Sequence, residues 1–285
     1  MKVEHLFDKD TYTLTYIVYD EGTKDALIID PVLDFDPASG RVSTSSFSLL
    51  KEKVNELSLK VGMILETHAH ADHLSSSQYL KDAFQGAKLA IGENICVVQE
   101  TFKKVFNMPE SFKVDGSQFD LLLKDGEMVS CGSLNFKVLA TPGHTPACVS
   151  FVFDGFVFTG DALFMPDFGT GRCDFPAGSA DELYTSVHDK LYKLDDDTVV
   201  YVGHDYMPKG RPLKYATTIK EEKENNIQLK ESSSRSDFVA MRKERDAKLN
   251  APTLLFPSIQ VNIAAGKLPD PEGNGTSYVK IPLKK

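Results

Sequence analysis

Residues 64–74, ILETHAHADHL, place three histidines and one aspartate within six positions, directly after an apolar run. Imidazole and carboxylate groups are common ligands of transition metals. Alternate residues of an extended segment point to the same side, so His68 and His70 can converge on one ion, with Asp72 and His73 brought behind them by the following turn. Because three of the chain's seven histidines fall here, we interpret this stretch as a metal-binding loop rather than a polar helix cap.

Three later segments end apolar runs with the same kinds of side chain. His144 follows a Pro-Gly turn in LATPGHTPACVSF, Asp161 ends the run FVFTGD, and His204 follows VVYVG. A carboxylate at the end of a buried strand needs a cation as its partner. We expect these strand ends and that of His68 to lie on the same edge of a sheet, around one site.

The composition is that of a globular protein with an acidic surface. The 285 residues carry 41 acidic and 32 basic side chains, a formal net charge of −9, and 41% are hydrophobic. Without a basic block, binding of nucleic acid is disfavoured. The charged first residues lack the apolar core of a signal peptide, and no segment approaches the ~20 apolar residues of a membrane span. We therefore expect a cytoplasmic protein with no membrane partner and reduced cysteines.

The order of the predicted elements is that of an α/β protein. A hairpin over residues 14–30, a helix of about four turns after Ser43 and a strand before His68 are followed by further helices and short β-rich runs. From residue 212 the chain is charged and helix-prone, and from residue 252 its Pro, Gly and Asn content predicts loops. We predict a catalytic domain over residues 1–210 and an extension over 211–285 packed on the same domain.

The order and spacing of the ligand-type residues resemble the metallo-β-lactamase superfamily over residues 1 to about 210. The resemblance implies a four-layer αβ/βα sandwich with metal between its two sheets, here with a C-terminal helical and loop extension. In its two-metal pattern the ions are held by His68, His70 and His144, by Asp72, His73 and His204, and by Asp161 between them. Two zinc or iron ions lower the pKa of a bridging water and create a hydrolytic nucleophile.

A narrower resemblance lies in the segments ATPGHTPACVSFVF, GTGRCDF and GHDY. They are similar to the persulfide dioxygenase branch, which uses one ferrous iron held by two histidines and one carboxylate. By position, His68, His144 and Asp161 would hold one Fe²⁺ per chain. The remaining ligand-type residues would orient them through hydrogen bonds or bind a second metal, a choice that the sequence leaves open: His70, Asp72, His73 and His204.

The same resemblance implies that the substrates are glutathione persulfide, or a similar low-molecular-weight persulfide, and O₂, with sulfite and thiol as products in sulfide detoxification. Arg172 and Tyr206 match family positions near the glutathione site, where they would pair with a carboxylate and donate a hydrogen bond. Their alternatives are a surface ion pair and a packed ring. Cys173 is either a packed residue or a persulfide carrier, and Lys209 and Arg211 are either solvated cations or charges at the site entrance.

A glyoxalase II-type thioester hydrolase with a binuclear metal site is the alternative function, because it uses the same seven ligands. In that case, or as a substitute for iron, Zn²⁺ would be the metal. The segment after His144 lacks the later histidine frequent in glyoxalase II, and the C-terminal region is unlike its helical domain. A non-catalytic metal or sulfur sensor is the third interpretation, disfavoured by the seven intact ligand positions.

Two segments resemble a longer bacterial lactamase-like subgroup, and we expect no rhodanese domain to accompany them. They are an insertion over residues 31–47 and a tail over residues 252–275. The apolar part of the tail, LLFPSIQVNI, is either an interface, such as that of a homodimer, or a buried packing segment.

Overall fold

The computed structural model describes residues 1–283 and contains two six-stranded sheets, a small three-stranded sheet and short helices. The strands are β1 Lys2–Phe7, β2 Leu14–Tyr19, β3 Asp25–Ile29, β4 Val32–Asp36, β5 Arg41–Ser43, β6 Lys60–Glu66, β7 Leu74–Ser75, β8 Lys88–Gly92, β9 Leu121–Leu123, β10 Met128–Cys131, β11 Leu134–Ala140, β12 Val149–Phe153, β13 Phe156–Phe158, β14 Val199–Tyr201 and β15 Ala216–Thr218. The α-helices are α1 Ser45–Glu56, α2 Ser77–Ala83, α3 Ile95–Val105, α4 Ala180–Thr185, α5 Ile219–Asn225, α6 Arg235–Asp246 and α7 Leu255–Asn262.

The two large sheets pack face to face, and helices cover them. The first sheet has the order β1-β2-β3-β6-β8-β9 and the second runs from β10 to β15 in sequence order. Leu14, Tyr16 and Val18 of β2 share a buried core with Phe136 and Val138 of β11. Ile17 and Tyr19 of β2 lie in a second core with residues of α1, α3 and α7, as the two-residue period of a strand requires. The predicted four-layer αβ/βα sandwich is confirmed.

Strand directions explain why distant segments meet. Strand β6 runs parallel to both β3 and β8 in the first sheet. In the second sheet, β11 and β13 are each antiparallel to β12, and β13 is parallel to β14. The carboxyl ends of β11, β13 and β14 therefore lie on one edge, and these strands precede His144, Asp161 and His204 respectively.

The insertion and the extension both add regular structure. The insertion forms the hairpin β4–β5, and β4 also pairs with β7, which follows the metal-binding loop. In the extension, β15 pairs with β14 and continues the second sheet. Within residues 1–283, the helices are too short or too polar to cross a bilayer.

Two predictions of local structure need correction. The helix after Ser43 is shorter than predicted, because it begins at Ser45 and ends at Glu56. The prediction of loops from residue 252 is wrong for Leu255–Asn262, which form α7 with its last six residues buried. Pro257 lies in the first turn, where a proline is tolerated. The side-chain amides of Gln260 and Asn262 find hydrogen-bond partners inside the protein, so a polar composition did not indicate a loop here.

Candidate metal centre

His68, His144 and Asp161 form a compact group at the strand edge. One donor atom of each lies within 4.8 Å of those of the other two. The residues are 1%, 6% and 8% exposed, respectively. His144 Nε2 is 3.5 Å from Asp161 Oδ2. Two imidazoles and a carboxylate thus face one point, an arrangement that suits a transition-metal ion.

A second group adjoins the first. His70, Asp72 and His73 also place donor atoms within 4.8 Å of one another. His204 Nε2 lies 3.3 Å from Asp72 Oδ2 and 3.4 Å from Asp161 Oδ1, so His204 and Asp161 connect the two groups. The structure therefore brings all seven predicted ligand-type residues into one cluster.

Several buried polar atoms of this cluster have no hydrogen-bond partner within residues 1–283. They are Nε2 of His68, Nδ1 of His70, Nε2 of His73, Oδ2 of Asp72 and Oδ1 of Asp161. Buried polar atoms are otherwise almost always paired. Their concentration at one place, on side chains that are good metal donors, fits a bound cation.

The glycine before Asp161 allows the two sheets to approach each other here. Gly160 has a φ of +49°, a conformation that costs other residues roughly 1–2 kcal/mol. A Cβ atom at this position would lie 2.6 Å from Thr67 Oγ1. Glycine therefore lets the turn that carries Asp161 sit against Thr67, directly before His68.

Two acidic residues that the sequence analysis did not single out lie behind the cluster. Asp30 Oδ1 is 3.0 Å and Glu66 Oε2 is 3.5 Å from His70 Nε2. Thr67 donates two hydrogen bonds to Asp30, from its backbone N–H and its hydroxyl, at 2.7 and 2.8 Å. Asp30 ends the apolar run ALIID, the same signal that identified Asp161, so the sequence offered a way to find it. Carboxylates in this position orient metal-binding histidines.

The protonation states of three residues of the cluster favour a bound cation. Burial, with the charges of neighbouring histidines, holds the pKa of His68 well below its ordinary value. Burial and the nearby His70 lower the pKa of His73 to about 4. Burial alone would raise the pKa of Asp72, but His204, His73 and His70 outweigh it and lower the pKa. At neutral pH these groups are two neutral imidazoles and one carboxylate, the forms that bind metal.

Asp30 and Glu66 shift the pKa of His70 in the opposite direction to those of His68 and His73. Burial would lower the pKa of His70, but its contacts with the two carboxyl groups outweigh this effect and raise the pKa well above the ordinary value. The pKa of Asp30 is correspondingly lowered, because His70 and Thr67 outweigh its own burial. The pKa of Glu66 is raised, because burial dominates there.

A cavity of about 950 Å³ opens beside the cluster. Asp72, His144 and Asp161 form part of its wall, together with residues of the insertion and the extension. Phe164 and Phe168 supply apolar surface. The cavity has the size of a small-molecule site and reaches the group that contains His144 and Asp161.

Tyr206 and Arg172, the two predicted substrate-binding residues, both line this cavity. The Tyr206 ring packs at 4.6 Å on Phe168, and burial together with Asp72 and Asp161 raises the pKa of its phenol well above the ordinary value. The Arg172 guanidinium donates to both carboxylate oxygens of Asp174, at 2.5 and 2.6 Å, and to the Asn250 carbonyl at 2.7 Å. Arg172 thus already has a carboxylate partner within the chain.

Arg211 and Cys173 are both held by contacts within the protein. Arg211 binds Asp167 and Asp205 with pairs of hydrogen bonds, so its guanidinium is engaged within the chain rather than solvated. Cys173 is buried, and burial raises the pKa of its thiol to about 12. A protonated, buried thiol is a poor nucleophile, so Cys173 matches the packed alternative.

Comparisons with known proteins agree with this architecture. Residues 9–204 match the family model described as the metallo-beta-lactamase superfamily. A probable metallo-hydrolase of Burkholderia pseudomallei is 47% identical over 99% of both chains. Glyoxylase B2 of Dictyostelium discoideum is 49% identical over 99% of this chain and 97% of its own.

Two further relatives bear the name ETHE1. The human mitochondrial persulfide dioxygenase ETHE1 is 32% identical over 72% of this chain and 68% of its own. The crystal structure of ETHE1 from Myxococcus xanthus has a TM-score of 0.75 and 34% identity, covering 94% of this chain and all of that one. The relatives thus include both a glyoxylase and persulfide dioxygenases by name.

Proposed function

The chain belongs to the metallo-β-lactamase superfamily, and we propose that it is a mononuclear non-haem iron persulfide dioxygenase. It would oxidise glutathione persulfide, or a similar low-molecular-weight persulfide, with O₂ to sulfite and thiol, as in sulfide detoxification. The observation that carries this proposal is the group of two histidines and one carboxylate, His68, His144 and Asp161. Two of them, His144 and Asp161, line the cavity. Similarity to proteins named persulfide dioxygenase supports the proposal.

The hydrogen bonds of the two histidines support the ligand assignment. His144 Nδ1 lies 2.7 Å from the Arg172 carbonyl, which can only accept, so this nitrogen carries the proton. His68 Nδ1 lies 3.0 Å from the hydroxyl of Thr67, whose proton is donated to Asp30. Both rings therefore present an unprotonated Nε2 to the cluster. These two nitrogens and the Asp161 carboxylate would hold a ferrous ion, which would supply binding positions for a sulfur ligand and dioxygen.

The cavity residues have separate roles in this proposal. Because the phenol of Tyr206 keeps its proton at neutral pH, it can donate a hydrogen bond to the persulfide. Phe164 and Phe168 lie beside Tyr206, with ring centroids 5.9 and 4.6 Å away, and exclude water from this side. Arg172 would bind a substrate carboxylate only alongside Asp174 or by exchanging it, so its main role is to shape the wall.

The overall reaction balances with one O₂ for each persulfide. Glutathione persulfide, O₂ and one water give glutathione and sulfurous acid, which ionises to sulfite. The terminal sulfur is oxidised from the zero to the +4 state and loses four electrons, which reduce O₂. No other oxidant or reductant is required.

A glyoxalase II-type thioester hydrolase is the second candidate function. Asp72, His73 and His204 favour it, because a second metal held by them would complete a binuclear site with Asp161 between the ions. Similarity to the relative named Glyoxylase B2 also supports a hydrolase. In this case Zn²⁺ would occupy the centre, and the substrate would be a glutathione thioester.

Two substrates and two metals separate the candidates. The metal-free protein is loaded with Fe²⁺ or with Zn²⁺, and each form is given glutathione persulfide or S-lactoylglutathione, with and without air. A dioxygenase forms sulfite only with Fe²⁺ and O₂, whereas a hydrolase cleaves the thioester with Zn²⁺ and is indifferent to air.

Single substitutions provide the control for this experiment. His144→Ala removes a proposed ligand and is expected to abolish turnover. His188→Ala removes a histidine that stacks on Tyr184, outside the cluster, and is expected to retain turnover. Thioester cleavage by the Zn²⁺ form without sulfite formation by the Fe²⁺ form would replace the dioxygenase with the hydrolase.

A further inference from the structure

Asn262 joins the C-terminal helix α7 to the loop that carries the HxHxDH motif. Its side-chain N–H groups donate to the backbone carbonyls of His70 and His73, both at 2.8 Å. Its side-chain oxygen accepts from the Ser75 N–H at 2.9 Å. Asn262 is 4% exposed, so these three bonds form inside the protein, away from competing water.

The bonds fix the part of the loop in which ligand geometry is decided. The carbonyls of His70 and His73 lie on either side of the segment that contains Asp72, and one amide group holds both. The Ser75 bond fixes the exit of the loop into β7. Without the amide, the carbonyls of these two buried residues would lose their partner at a cost in free energy. The loop would then shift to pair them elsewhere, which would displace Asp72 and His73.

The end of α7 is itself firmly held. Gln99 of α3 donates to the Ile263 carbonyl at 2.9 Å, and Gln78 of α2 donates to the Ala265 carbonyl at 2.7 Å. Ile259 and Ile263 are fully buried in the core that includes α1 and α3. The amide of Asn262 is therefore presented from a rigid support, unlike a side chain on a mobile tail.

We infer that Asn262 is a positioning residue, which holds the backbone of residues 70–75 in the conformation that binds metal. The inference rests on the proposed metal centre but is independent of whether the reaction is oxidation or hydrolysis. It also assigns a role to the extension: through one amide, a segment near the C terminus completes a loop nearly 200 residues earlier.

Gln260 offers a matched control on the same helix. Its side chain also donates to two backbone carbonyls, those of Phe256 and Lys280, at 2.7 and 2.8 Å. It also accepts one backbone N–H, that of Lys280, at 2.8 Å, and it is 6% exposed. Asn262→Leu and Gln260→Met therefore each remove one buried amide and three hydrogen bonds, but only the first change touches the metal-binding loop.

The test measures Co²⁺ binding by competition with a chromogenic chelator and records the visible spectrum of the bound ion. We expect Asn262→Leu to weaken Co²⁺ binding by about 10–100-fold, the range for residues that orient metal ligands, and to alter the spectrum. Gln260→Met should keep the affinity and spectrum of the unmodified protein. Unchanged binding in Asn262→Leu, or equal weakening in Gln260→Met, would overturn the inference.

A second pair of variants covers the case in which Asn262→Leu does not fold. Asn262→Asp keeps the shape and the Ser75 bond but replaces the donor of the two carbonyl bonds, and Gln260→Glu is its control. The added negative charge would by itself strengthen cation binding, so weaker Co²⁺ binding in Asn262→Asp supports the inference and unchanged or tighter binding contradicts it. A parent protein that binds Co²⁺ but neither consumes oxygen nor cleaves thioester would refute the proposed function alone.

Discussion

A buried ion pair within helix α6 of the extension gives a quantitative prediction. Arg242 of α6 is 1% exposed and binds the carboxylate of Asp246. Its guanidinium also donates to Gln228 at 2.7 Å. Asp246 accepts the backbone N–H of Cys173 at 2.8 Å, so the pair supports the loop that carries Arg172. Replacing Arg242 by methionine would leave the Asp246 carboxylate buried without its counter-charge.

Removing one partner of a buried pair costs about 3–5 kcal/mol. At about 2 °C for each kcal/mol in a chain of this size, Arg242→Met should lower the Tm by roughly 6–10 °C. Adding Asp246→Asn removes the stranded charge while keeping an acceptor for the Cys173 N–H. The double variant should therefore regain stability and lie only about 1–2 kcal/mol below the parent protein.

Urea unfolding followed by circular dichroism measures these free energies, provided the transition is two-state. The single variant Asp246→Asn completes the double-mutant cycle. A loss of less than about 1 kcal/mol of unfolding free energy in Arg242→Met would refute a stabilising role of the ion pair. A double variant no more stable than Arg242→Met would refute it as well.

Three further predictions concern the site. Burial lowers the pKa of His73 to about 4, whereas an unfolded histidine titrates near ~6.5. Between these values only the unfolded state binds the proton, so the metal-free protein should lose stability as the pH falls through this window. Urea unfolding at several pH values measures this loss, and the same dependence of stability on pH in His73→Gln would contradict it. Gly160→Ala should weaken Co²⁺ binding, because the new Cβ would press on Thr67. Gly126 also has a positive φ but no heavy atom within 4 Å of the position that a Cβ would take, so Gly126→Ala should lower stability without changing Co²⁺ binding. Equal Co²⁺ affinity in the two variants would contradict a role of Gly160 in shaping the site. Tyr206→Phe should raise the KM for the persulfide by about 5-fold, corresponding to one neutral hydrogen bond of about 1 kcal/mol, and an unchanged KM in steady-state oxygen uptake would remove the phenol from substrate binding.

The sequence was informative where one short segment contains both the structural and the chemical signal. Apolar runs that end in histidine or aspartate predicted the strands and the residues at their ends, and the structure gathers His68, His144, Asp161 and His204 in one cluster. The expectation that all four strand ends share the edge of one sheet was wrong for His68, because β6 belongs to the first sheet whereas the strands before the other three belong to the second. The cluster forms where the edges of the two packed sheets meet.

Local sequence patterns could not identify hydrogen-bond and ion-pair partners that only tertiary contacts bring together. Asp30 lies 37 residues from Thr67, and Asn262 lies 192 residues from His70. Asn262 sits in a segment with the composition of a loop, and burial turns this polar side chain into a structural link. Arg211 illustrates the same limitation, since its two aspartate partners could not be identified from the sequence around it.

Use of dioxygen distinguishes the proposed dioxygenase from a hydrolase, and it is measured by the ratio of oxygen consumed to product formed. The Fe²⁺-loaded protein is mixed with glutathione persulfide in air-saturated buffer, oxygen uptake is followed with an electrode, and sulfite and glutathione are quantified at the end. We predict one O₂ consumed for each sulfite and each glutathione formed, with no turnover in His144→Ala. Persulfide or thioester turnover without oxygen uptake would contradict the proposed dioxygenase activity.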